Sequence, residues 1–324
     1  MQRILITGGA GFIGSNFIRL LLEERPNYHI INLDKLTYAG NLSTLEDIST
    51  HPKYQFIQGD IADPVLVDEI FKTKIDAVVN FAAESHVDRS IENPDAFVQS
   101  NIVGVHNLLN KARIYNTERF LQISTDEVYG QLGKEGYFTE DTPIQPSSPY
   151  SSSKASGDLL VQAWHHTYGM HTNITRCSNN YGPYQYPEKL IPVIIARATE
   201  DKNIPVYGDG SNIRDWIHVF DHNRAALAVL EKGVSGRVYN IGASCERDNI
   251  TLVKLLLDIL GKPHSLIEFV TDRAGHDWRY AIDSSRIQSE LSWVPRYSFD
   301  DGIEQTVEWY LNNTNWWKAL LEQS

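Results

Sequence analysis

Short apolar runs alternate with longer amphipathic stretches along the first half of the chain. The runs predict buried strands, and they occupy residues 4–7, 29–33, 54–59, 77–83, 120–124 and 173–177. Helical periodicity follows the first run, and it returns over residues 64–73, 94–116 and 151–168. Strands that alternate with helices form a parallel sheet with helices on both faces. The pattern therefore predicts an α/β fold with a doubly wound parallel sheet.

The second half of the chain is organised differently. Residues 178–218 are rich in Gly, Pro, Tyr and Asn, which is typical of a segment that lines a ligand site. The elements predicted beyond them are a helix over 224–231, a strand over 238–242, and then mainly helices with a short strand near 266–270. We therefore expect a sheet domain of residues 1–177 plus 219–245. A smaller, discontinuous C-terminal α/β domain would comprise residues 178–218 plus 246–324.

Three glycines directly after the first strand predict a nucleotide-binding turn. Gly8, Gly11 and Gly14 fit the spacing G-x-x-G-x-x-G, with a strand before them and an amphipathic helix after them. Glycine allows the tight turn and the close approach of a pyrophosphate to the helix N-terminus. Asp34 ends the second strand, where a carboxylate would bind adenosine ribose hydroxyls and repel a 2′-phosphate. These features favour a Rossmann domain that binds NAD rather than NADP; a structural glycine turn with an ordinary surface Asp34 is the alternative.

Polar residues at the ends of the next strands extend this predicted site, because ligands of parallel sheets bind beyond the carboxyl ends of the strands. Asp60 and Ile61 follow the third strand and would frame the adenine. Ala82 and Ala83 would let the cofactor pass close to the backbone after the fourth strand. His86 lies in the same loop, although a loop histidine is more often a structural hydrogen-bond partner than a catalytic group.

Acid and base groups are concentrated after the fifth strand. That strand leads directly into Thr125, Asp126 and Glu127, and a Pro-rich loop then leads to Tyr150, four residues before Lys154 on a predicted helix. Residues four apart share a helix face, and an ammonium beside a phenol favours the phenolate. A phenol tuned in this way can take a proton from an alcohol while a nicotinamide takes the hydride. Alone, each motif is explained by an exposed helix or a solvated turn; beside a cofactor site, they predict NAD-dependent chemistry.

The composition limits the classes of binding partner and the cellular compartment that we expect. The 324 residues carry 29 basic and 41 acidic side chains, a formal net charge of −12, which argues against nucleic acid or an anionic membrane as the main partner. Cys177 and Cys245 are too few for a disulfide framework, so a cytoplasmic location is expected. No spacing typical of a metal site is present, and no metal is expected. The chain opens on a strand rather than a signal peptide, and no apolar run approaches the roughly 20 residues that span a bilayer.

Several longer stretches carry a family resemblance. They are residues 34–41 (DKLTYAGN), 82–90 (AAESHVDRS), 125–130 (TDEVYG), 179–185 (NNYGPYQ), 214–216 (RDW) and 272–277 (DRAGHD). With the glycines and the Tyr-x-x-x-Lys motif, they resemble the extended short-chain dehydrogenase/reductases, and among these the dTDP-glucose 4,6-dehydratase family. The resemblance covers essentially the whole chain. Its most discriminating part is the carboxyl pair at 126–127, which sugar-nucleotide epimerases of the superfamily lack at that point.

The resemblance implies an NAD-dependent hydro-lyase that converts dTDP-glucose to dTDP-4-keto-6-deoxyglucose, a precursor of rhamnose and other deoxysugars. After oxidation at C4, Glu127 would remove the C5 proton and Asp126 would protonate the departing C6 hydroxyl. Two neighbouring carboxyls can hold these different protonation states, because ionising one raises the pKa of the other. Thr125 would hydrogen-bond near the C4 oxygen and Tyr150 would take the C4 hydroxyl proton. Lys154 would lower the pKa of Tyr150 and bind the nicotinamide ribose, and the hydride would return to C6.

The resemblance also implies sets of binding residues and a partner subunit. The implied cofactor ligands are Gly8, Gly11, Phe12, Ile13, Gly14, Asp34, Lys35, Thr37, Asp60, Ile61, Ala82, Ala83, Tyr150 and Lys154. The implied substrate ligands are His86, Thr125, Asn179, Lys189, Leu190, Tyr207, Arg214, Asn249, Arg273, His276 and Tyr280. Among these, Arg214 and Arg273 are the candidates for the diphosphate, since guanidinium groups bind phosphate oxygens through paired hydrogen bonds. In the family, helices equivalent to 94–116 and 151–168 pack against a second subunit, which implies a homodimer; these faces could equally be core.

Three other functions stay open at this point. The nearest alternative is a 4,6-dehydratase for UDP- or CDP-glucose. The chain is shorter than many family members between residues 130 and 150 and around residues 262–272, near the rim of the site, and this leaves the nucleobase preference open. A nucleotide-sugar 4-epimerase or decarboxylase would use the same cofactor without the carboxyl pair. A catalytically silent NAD-sensing or scaffolding protein would have no reason to keep acid and base residues together.

Overall fold

The computed structural model describes residues 1–272 and 276–322. Strands and helices alternate in its first half, as the periodicity predicts. The strands are β1 (Arg3–Thr7), β2 (His29–Asp34), β3 (Tyr54–Gln58), β4 (Ala77–Asn80), β5 (Arg119–Thr125), β6 (Thr172–Cys177), β7 (Asn179–Tyr181), β8 (Ile204–Tyr207), β9 (Ile213–His218), β10 (Val238–Ile241), β11 (Glu246–Asp248) and β12 (Ile267–Val270). The helices are α1 (Phe12–Glu24), α2 (Pro64–Lys72), α3 (Val87–Glu92), α4 (Pro94–Val98), α5 (Val105–Ile114), α6 (Pro149–Tyr168), α7 (Leu190–Thr199), α8 (Val219–Lys232), α9 (Asn249–Ile259), α10 (Ser285–Leu291), α11 (Phe299–Asn312) and α12 (Thr314–Leu321). None of the helices in these described ranges is long and apolar enough to cross a membrane.

Seven of these strands form one parallel sheet, in the order β10-β6-β5-β4-β1-β2-β3. Side chains of adjacent strand residues point to opposite faces, so Ile4 and Ile6 of β1 enter one core while Leu5 enters another. Helices α1 and α8 pack on the first face, and α2, α5 and α6 pack on the second. The strand order reverses between β1 and β4, where open α/β sheets receive their ligands. The predicted doubly wound Rossmann sheet is confirmed.

The second half of the chain adds a smaller core built on two short sheets. One sheet has the order β11-β9-β7, and the other pairs β12 with β8. Helices α7, α9, α11 and α12 pack their apolar side chains around Trp216 on β9. The sequence pattern did not predict β7, β8 or β9, because none is longer than six residues and their surroundings are rich in turn formers. The division into domains at residues 178, 219 and 246 stays a prediction.

The helix predicted over residues 94–116 is interrupted in the structure. A π-helical turn, Gln99–Gly104, joins α4 to α5. The turn carries Asn101 with its side chain buried, and Gly104 faces Ile61 so closely that a Cβ on Gly104 would lie 2.5 Å from Ile61 Cδ1. Wide turns of this kind are often found beside functional sites.

Candidate active site

The glycine loop between β1 and α1 is packed too tightly for larger residues. Gly8 has a φ of +72°, and a Cβ there would lie 2.5 Å from the backbone nitrogen of Ala82. A Cβ on Gly14 would lie 2.5 Å from the carbonyl oxygen of Gly8. Gly11 is the N-cap of α1 and makes no side-chain cap. A loop without side chains at a helix N-terminus fits a pyrophosphate, so these residues suit a dinucleotide.

Asp34 at the end of β2 is both a cleft residue and a support for the glycine loop. Its Oδ2 accepts a hydrogen bond from the Ala10 amide at 2.9 Å, and its Oδ1 accepts one from the Leu36 amide at 2.8 Å. Burial raises the pKa of Asp34, and the two amides lower it in part. Beside it, Lys35 Nζ lies 2.7 Å from Asp60 Oδ2. The acidic residue predicted for the adenosine ribose therefore stands in a preorganised setting.

One cleft of about 330 Å³ brings the predicted catalytic and cofactor residues together. The predicted residues that line it are Gly8, Gly11, Phe12, Ile13, Gly14, Asp34, Lys35, Thr37, Asp60, Ile61, Ala82, Ala83, Thr125, Asp126, Glu127, Tyr150, Lys154, Asn179 and Lys189. A cleft of this volume is within the range of cofactor and small-ligand sites.

The carboxyl pair sits on a short turn at the end of β5. The Thr125 hydroxyl accepts a hydrogen bond from the Glu127 amide at 3.2 Å, which caps a 3₁₀ turn at Asp126–Tyr129. Asp126 is 2% exposed. Burial raises the pKa of Asp126 well above its usual range, and the nearby carboxyls of Glu127 and Asp215 raise it further. Burial and these two carboxyls therefore favour the neutral form of Asp126, while Arg214 and the Thr125 hydroxyl oppose the shift.

Tyr150 and Lys154 lie in the first turns of α6. A capping box between Ser148 and Ser151 starts this helix. Tyr150 is 8% exposed and Lys154 is 5% exposed, and Lys154 Nζ donates to the Ile123 carbonyl at 2.7 Å. Burial and then the Glu127 carboxylate raise the pKa of Tyr150 well above its usual value, so the net shift toward neutral that the Tyr150–Lys154 spacing predicts is not seen in this structure.

The π-helical turn ties the loop after β4 to the catalytic helix. Asn101 accepts from the Glu84 amide at 3.0 Å and donates to the Glu84 carbonyl at 3.0 Å. The same amide group donates to Ser153 Oγ at 2.8 Å. Ser153 lies between Tyr150 and Lys154 on α6. Asn101 therefore connects the loop after β4 to the helical turn that carries the Tyr-x-x-x-Lys motif.

Arg214 and Tyr280 form a second group of predicted substrate residues. The Arg214 guanidinium lies 4.4 Å from the centre of the Tyr280 ring and donates to the Asp277 carbonyl at 2.9 Å. Arg214 lowers the pKa of Asp126, and Glu127 raises the pKa of Tyr280. Burial is the larger cause of both shifts, and it raises the pKa of Asp126 and of Tyr280. The smaller contributions of Arg214 and Glu127 indicate that Arg214 and Tyr280 lie near the carboxyl pair, although neither lines the cleft itself.

The remaining predicted substrate residues that the structure describes lie outside the lining of the cleft. The Tyr207 and His276 rings are 6.2 Å apart, and His276 Nδ1 is 2.6 Å from Asp272 Oδ1. Asn249 starts α9, where its amide donates to the Asn212 carbonyl at 3.0 Å, and Leu190 starts α7. His86 caps α3 by accepting from the Arg89 amide, and burial lowers the pKa of His86. Arg273 lies outside the described residues.

Some lining residues were missed at the level of sequence. Glu188 carries no local signal, yet it lies 3.6 Å from His86 Nε2 and 3.6 Å from Lys189 Nζ. Cys177 and Ser178 also line the cleft, and their position at the end of β6 was the available signal. Burial raises the pKa of Cys177 to about 12, so this thiol is not a nucleophile at neutral pH.

Comparisons with known proteins agree with this geometry. The family described as GDP-mannose 4,6 dehydratase matches residues 5–306. A dTDP-glucose 4,6-dehydratase of Xanthomonas campestris pv. campestris is 51% identical over 343 residues, which cover 100% of this chain and 97% of that relative. The crystal structure of DesIV, a dTDP-glucose 4,6-dehydratase from Streptomyces venezuelae with NAD bound, has a TM-score of 0.96 and 46% identity, over 98% of this chain and 100% of DesIV. A dTDP-glucose 4,6-dehydratase from Bacillus anthracis in complex with NAD has a TM-score of 0.93 and 49% identity, over 99% of this chain and 100% of that one. Similar along its whole length to these enzymes in sequence and in fold, the chain belongs to the dTDP-glucose 4,6-dehydratase family.

Proposed function

We propose that this protein is an NAD-dependent dTDP-glucose 4,6-dehydratase, which forms dTDP-4-keto-6-deoxyglucose and water. The observation that carries the proposal is the placement of Asp126 and Glu127 in the same cleft as Tyr150, Lys154 and the glycine loop. When bound, NAD accepts the hydride from C4 and returns it to C6. The names of relatives about half identical over the full length support the same reaction.

The elimination step needs one proton removed and one proton supplied, and the carboxyl pair can do both. Glu127 would take the C5 proton, which the C4 ketone has made acidic. Asp126, whose neutral form burial favours, would give its proton to the C6 hydroxyl as the C6–O bond breaks and water leaves. Two neighbouring carboxyls can hold the two protonation states that the step requires when their surroundings differ.

The oxidation step would use the groups on α6. Tyr150 would take the C4 hydroxyl proton while the hydride leaves C4, and Thr125 would hydrogen-bond near that oxygen. Burial opposes the phenolate form of Tyr150 in this structure. Positive charge beside the phenol acts in the other direction, and Lys154 on the next turn of the same helix carries such a charge. Lys154 would also bind the nicotinamide ribose.

The diphosphate and nucleoside would extend from the cleft toward the second core. Asn179 and Lys189 line the cleft, and Arg214 lies near the carboxyl pair. The outer group would then meet the nucleotide; its described members are Tyr207, Asn249, His276 and Tyr280. Arg214 is the described cation best suited to the diphosphate, since it is buried beside Tyr280 and a fixed guanidinium binds phosphate oxygens in pairs. Arg273 would be its partner.

The proposal includes a homodimer and a cytoplasmic location. Apolar side chains stand exposed on α3 to α6, and they are Ile91, Val98, Val103, Ile114, Leu159 and Tyr168. Burial of these side chains against a second copy would remove apolar surface from water. Analytical ultracentrifugation of the wild-type protein and of Val98→Glu/Leu159→Glu tests this, with a dimer expected for the first and a monomer for the second. Free Cys177 and Cys245 accord with a reducing compartment.

Mass spectrometry of separate incubations with dTDP-, UDP-, CDP- and GDP-glucose tests the reaction, with no NAD added. Loss of one water from the dTDP sugar, at a far higher rate than from the others, is expected. Water loss from UDP- or CDP-glucose in preference would move the assignment to a dehydratase for that nucleotide. If no sugar loses water even after NAD is added, the protein is an epimerase or has no catalytic role.

Glu127→Gln separates a dehydratase from an epimerase. Removal of the C5 base should nearly abolish water loss while some C4 oxidation continues, which the absorbance of enzyme-bound NADH reports after addition of dTDP-glucose. Glu69→Gln, an exposed change on α2, is the matched control and should leave water loss unchanged. Water loss at the wild-type rate in Glu127→Gln would contradict the mechanism.

A further inference from the structure

An ion pair lies fully buried behind the catalytic helix. Asp158 on α6 and Arg176 on β6 are joined by a bond of 2.9 Å between Arg176 Nε and Asp158 Oδ2. Their side chains are 0% and 2% exposed, and neither lines the cleft. The Arg176 guanidinium lies 4.8 Å from the centre of the Tyr129 ring, on the turn that carries the carboxyl pair. The pair is therefore adjacent to the site without touching a ligand.

Stability is a weak explanation for this pair. Asp158 Oδ1 and Arg176 Nη2 are buried and have no hydrogen-bond partner. Burying two charges costs desolvation free energy, which their attraction offsets only when the geometry is excellent and the remaining polar atoms are hydrogen-bonded. Replacing such a pair with apolar residues is often neutral or stabilising for the fold. A half-bonded pair at this depth points to another use.

The geometry connects Asp158 with Lys154. The two residues are four apart on α6 and therefore share the face that packs on the sheet. Lys154 reaches the Ile123 carbonyl on β5, while Asp158 reaches Arg176 on β6. In the sheet, Arg176 pairs with Ser124, the residue after Ile123. Lys154 and Asp158 thus stand side by side above two neighbouring strands.

We propose that Asp158, held in place by Arg176, is a positioning residue that keeps the buried Lys154 protonated and aimed at the cleft. Burial lowers the pKa of Lys154, and Asp158 raises it. A neutral amine at this position would withdraw the positive charge that favours the Tyr150 phenolate. The inference rests on the proposed function, because it concerns how the oxidation at C4 is supported.

Other ionisable groups lie on the elements around Lys154. Cys177 on β6 raises the pKa of Lys154 alongside Asp158, Arg176 on β6 is bonded to Asp158, and Tyr150, Asp126 and Glu127 line the same cleft as Lys154. Burial raises the pKa of Cys177 to about 12, so this thiol is uncharged near neutral pH, and burial raises the pKa of Asp126 as well, which favours its neutral form. Asp158 differs from these two, since its Oδ2 accepts a hydrogen bond of 2.9 Å from the Arg176 guanidinium.

The first test is the pH profile of water release by the Asp158→Asn holoenzyme with dTDP-glucose. Loss of the carboxylate should let Lys154 deprotonate more easily, so the alkaline limb of kcat should move to lower pH by about one unit or more. The control is Glu231→Gln, which removes the partly buried ion pair with Arg25 between α1 and α8. That variant should keep the wild-type alkaline limb. An unmoved limb in Asp158→Asn would overturn the proposal.

A second variant separates electrostatics from folding. Asp158→Asn leaves the buried Arg176 unpaired, so Asp158→Leu/Arg176→Met is made as well, because it removes both charges with apolar groups of similar size. The proposal expects the double variant to fold and still to show the lowered alkaline limb. A wild-type profile in this variant would mean that the pair serves packing alone, and the proposal would fail.

A direct measurement keeps this test independent of the reaction. ¹⁵N NMR of lysine-labelled, NAD-bound protein, assigned with Lys154→Arg, follows the ammonium of Lys154 as the pH rises. Its titration midpoint should fall by about one unit or more in Asp158→Asn. If the wild-type protein releases no water from any nucleotide sugar, the proposed function fails, but the titration midpoint of Lys154 still decides the role of Asp158. An equal midpoint in wild type and Asp158→Asn refutes that role.

Discussion

Gly8→Ala should damage the protein through two effects that the structure allows to be separated. The φ of +72° places an alanine in the left-handed region, which costs about 1–2 kcal/mol. The new Cβ would also lie 2.5 Å from the Ala82 nitrogen and 2.7 Å from the Phe81 carbonyl carbon, both of them backbone atoms that cannot swing away. Overpacking of this kind costs about 1–3 kcal/mol, so the expected loss of unfolding free energy is about 2–5 kcal/mol.

Gly169→Ala is the matched control for the strain. Gly169 ends α6 with a φ of +67°, and nothing lies within 4 Å of the position of its added Cβ. Urea unfolding of both variants should give a loss of about 1–2 kcal/mol for Gly169→Ala and a larger loss for Gly8→Ala. Gly8→Ala should also retain less NAD, measured by chromatography after denaturation, because Ala82 lines the cleft. Equal losses in the two variants, with full NAD in both, would refute the reasoning.

Three further predictions concern acid catalysis, phosphate binding and pH. Asp126→Asn should reduce water release by about 10²–10⁴-fold in a mass-spectrometric assay, with NADH accumulating on the enzyme; unchanged release would exclude the acid role. Arg214→Lys should raise the KM for dTDP-glucose about tenfold or more, because a lysine cannot reproduce the paired hydrogen bonds of the guanidinium; an unchanged KM would remove Arg214 from the diphosphate site. Burial lowers the pKa of His222 to about 3, so the unfolded chain takes up its proton below about pH 6.5 and the folded protein does not. His222→Phe should therefore lose stability less steeply than wild type as pH falls from 6.5 to 4.5, and equal slopes in urea titrations would refute this.

The glycine loop and Asp34 could be predicted from the residue pattern because their signals are local. Gly8, Gly11 and Gly14 lie in one turn, and Asp34 ends the strand next to it, so spacing alone places them together. The lining of the cleft by these residues follows from the order of the parallel strands, which short connections and right-handed crossovers restrict to few arrangements.

The outer half depends on pairings that leave little trace in the sequence. Tyr207, Arg214, Asn249 and Tyr280 come from separate segments, and their positions depend on the pairing of β9 with β11 and of β8 with β12. These strands have three to six residues, too few for a periodic pattern. Family resemblance named the residues, whereas the residue pattern alone did not assemble them.

The protonation of Tyr150 shows another limit of sequence reasoning. The spacing to Lys154 is visible in the sequence, but the depth of burial is not. In the structure burial dominates, and it raises the pKa of Tyr150 although an ammonium lies on the next turn of the helix. Motif spacing predicts which groups meet, while the balance between desolvation and charge requires the packed structure.

The number of residues in the π-helical turn at Gln99–Gly104 determines how side chains on its two sides are oriented toward the active site and the sheet. An i→i+5 turn holds one residue more than an α-turn, so a deletion of one residue within 99–104 would restore a regular helix. Every residue on one side of the deletion would then rotate by about 100° relative to the other side. Either Asn101 would lose Glu84 and Ser153, or α5 would turn Leu108 and Leu109 away from the sheet. The number of residues in this turn is consequently constrained along with the identities of Asn101 and Gly104, and variants of the protein should accept substitutions at the other positions of the turn more readily than a single-residue change in length.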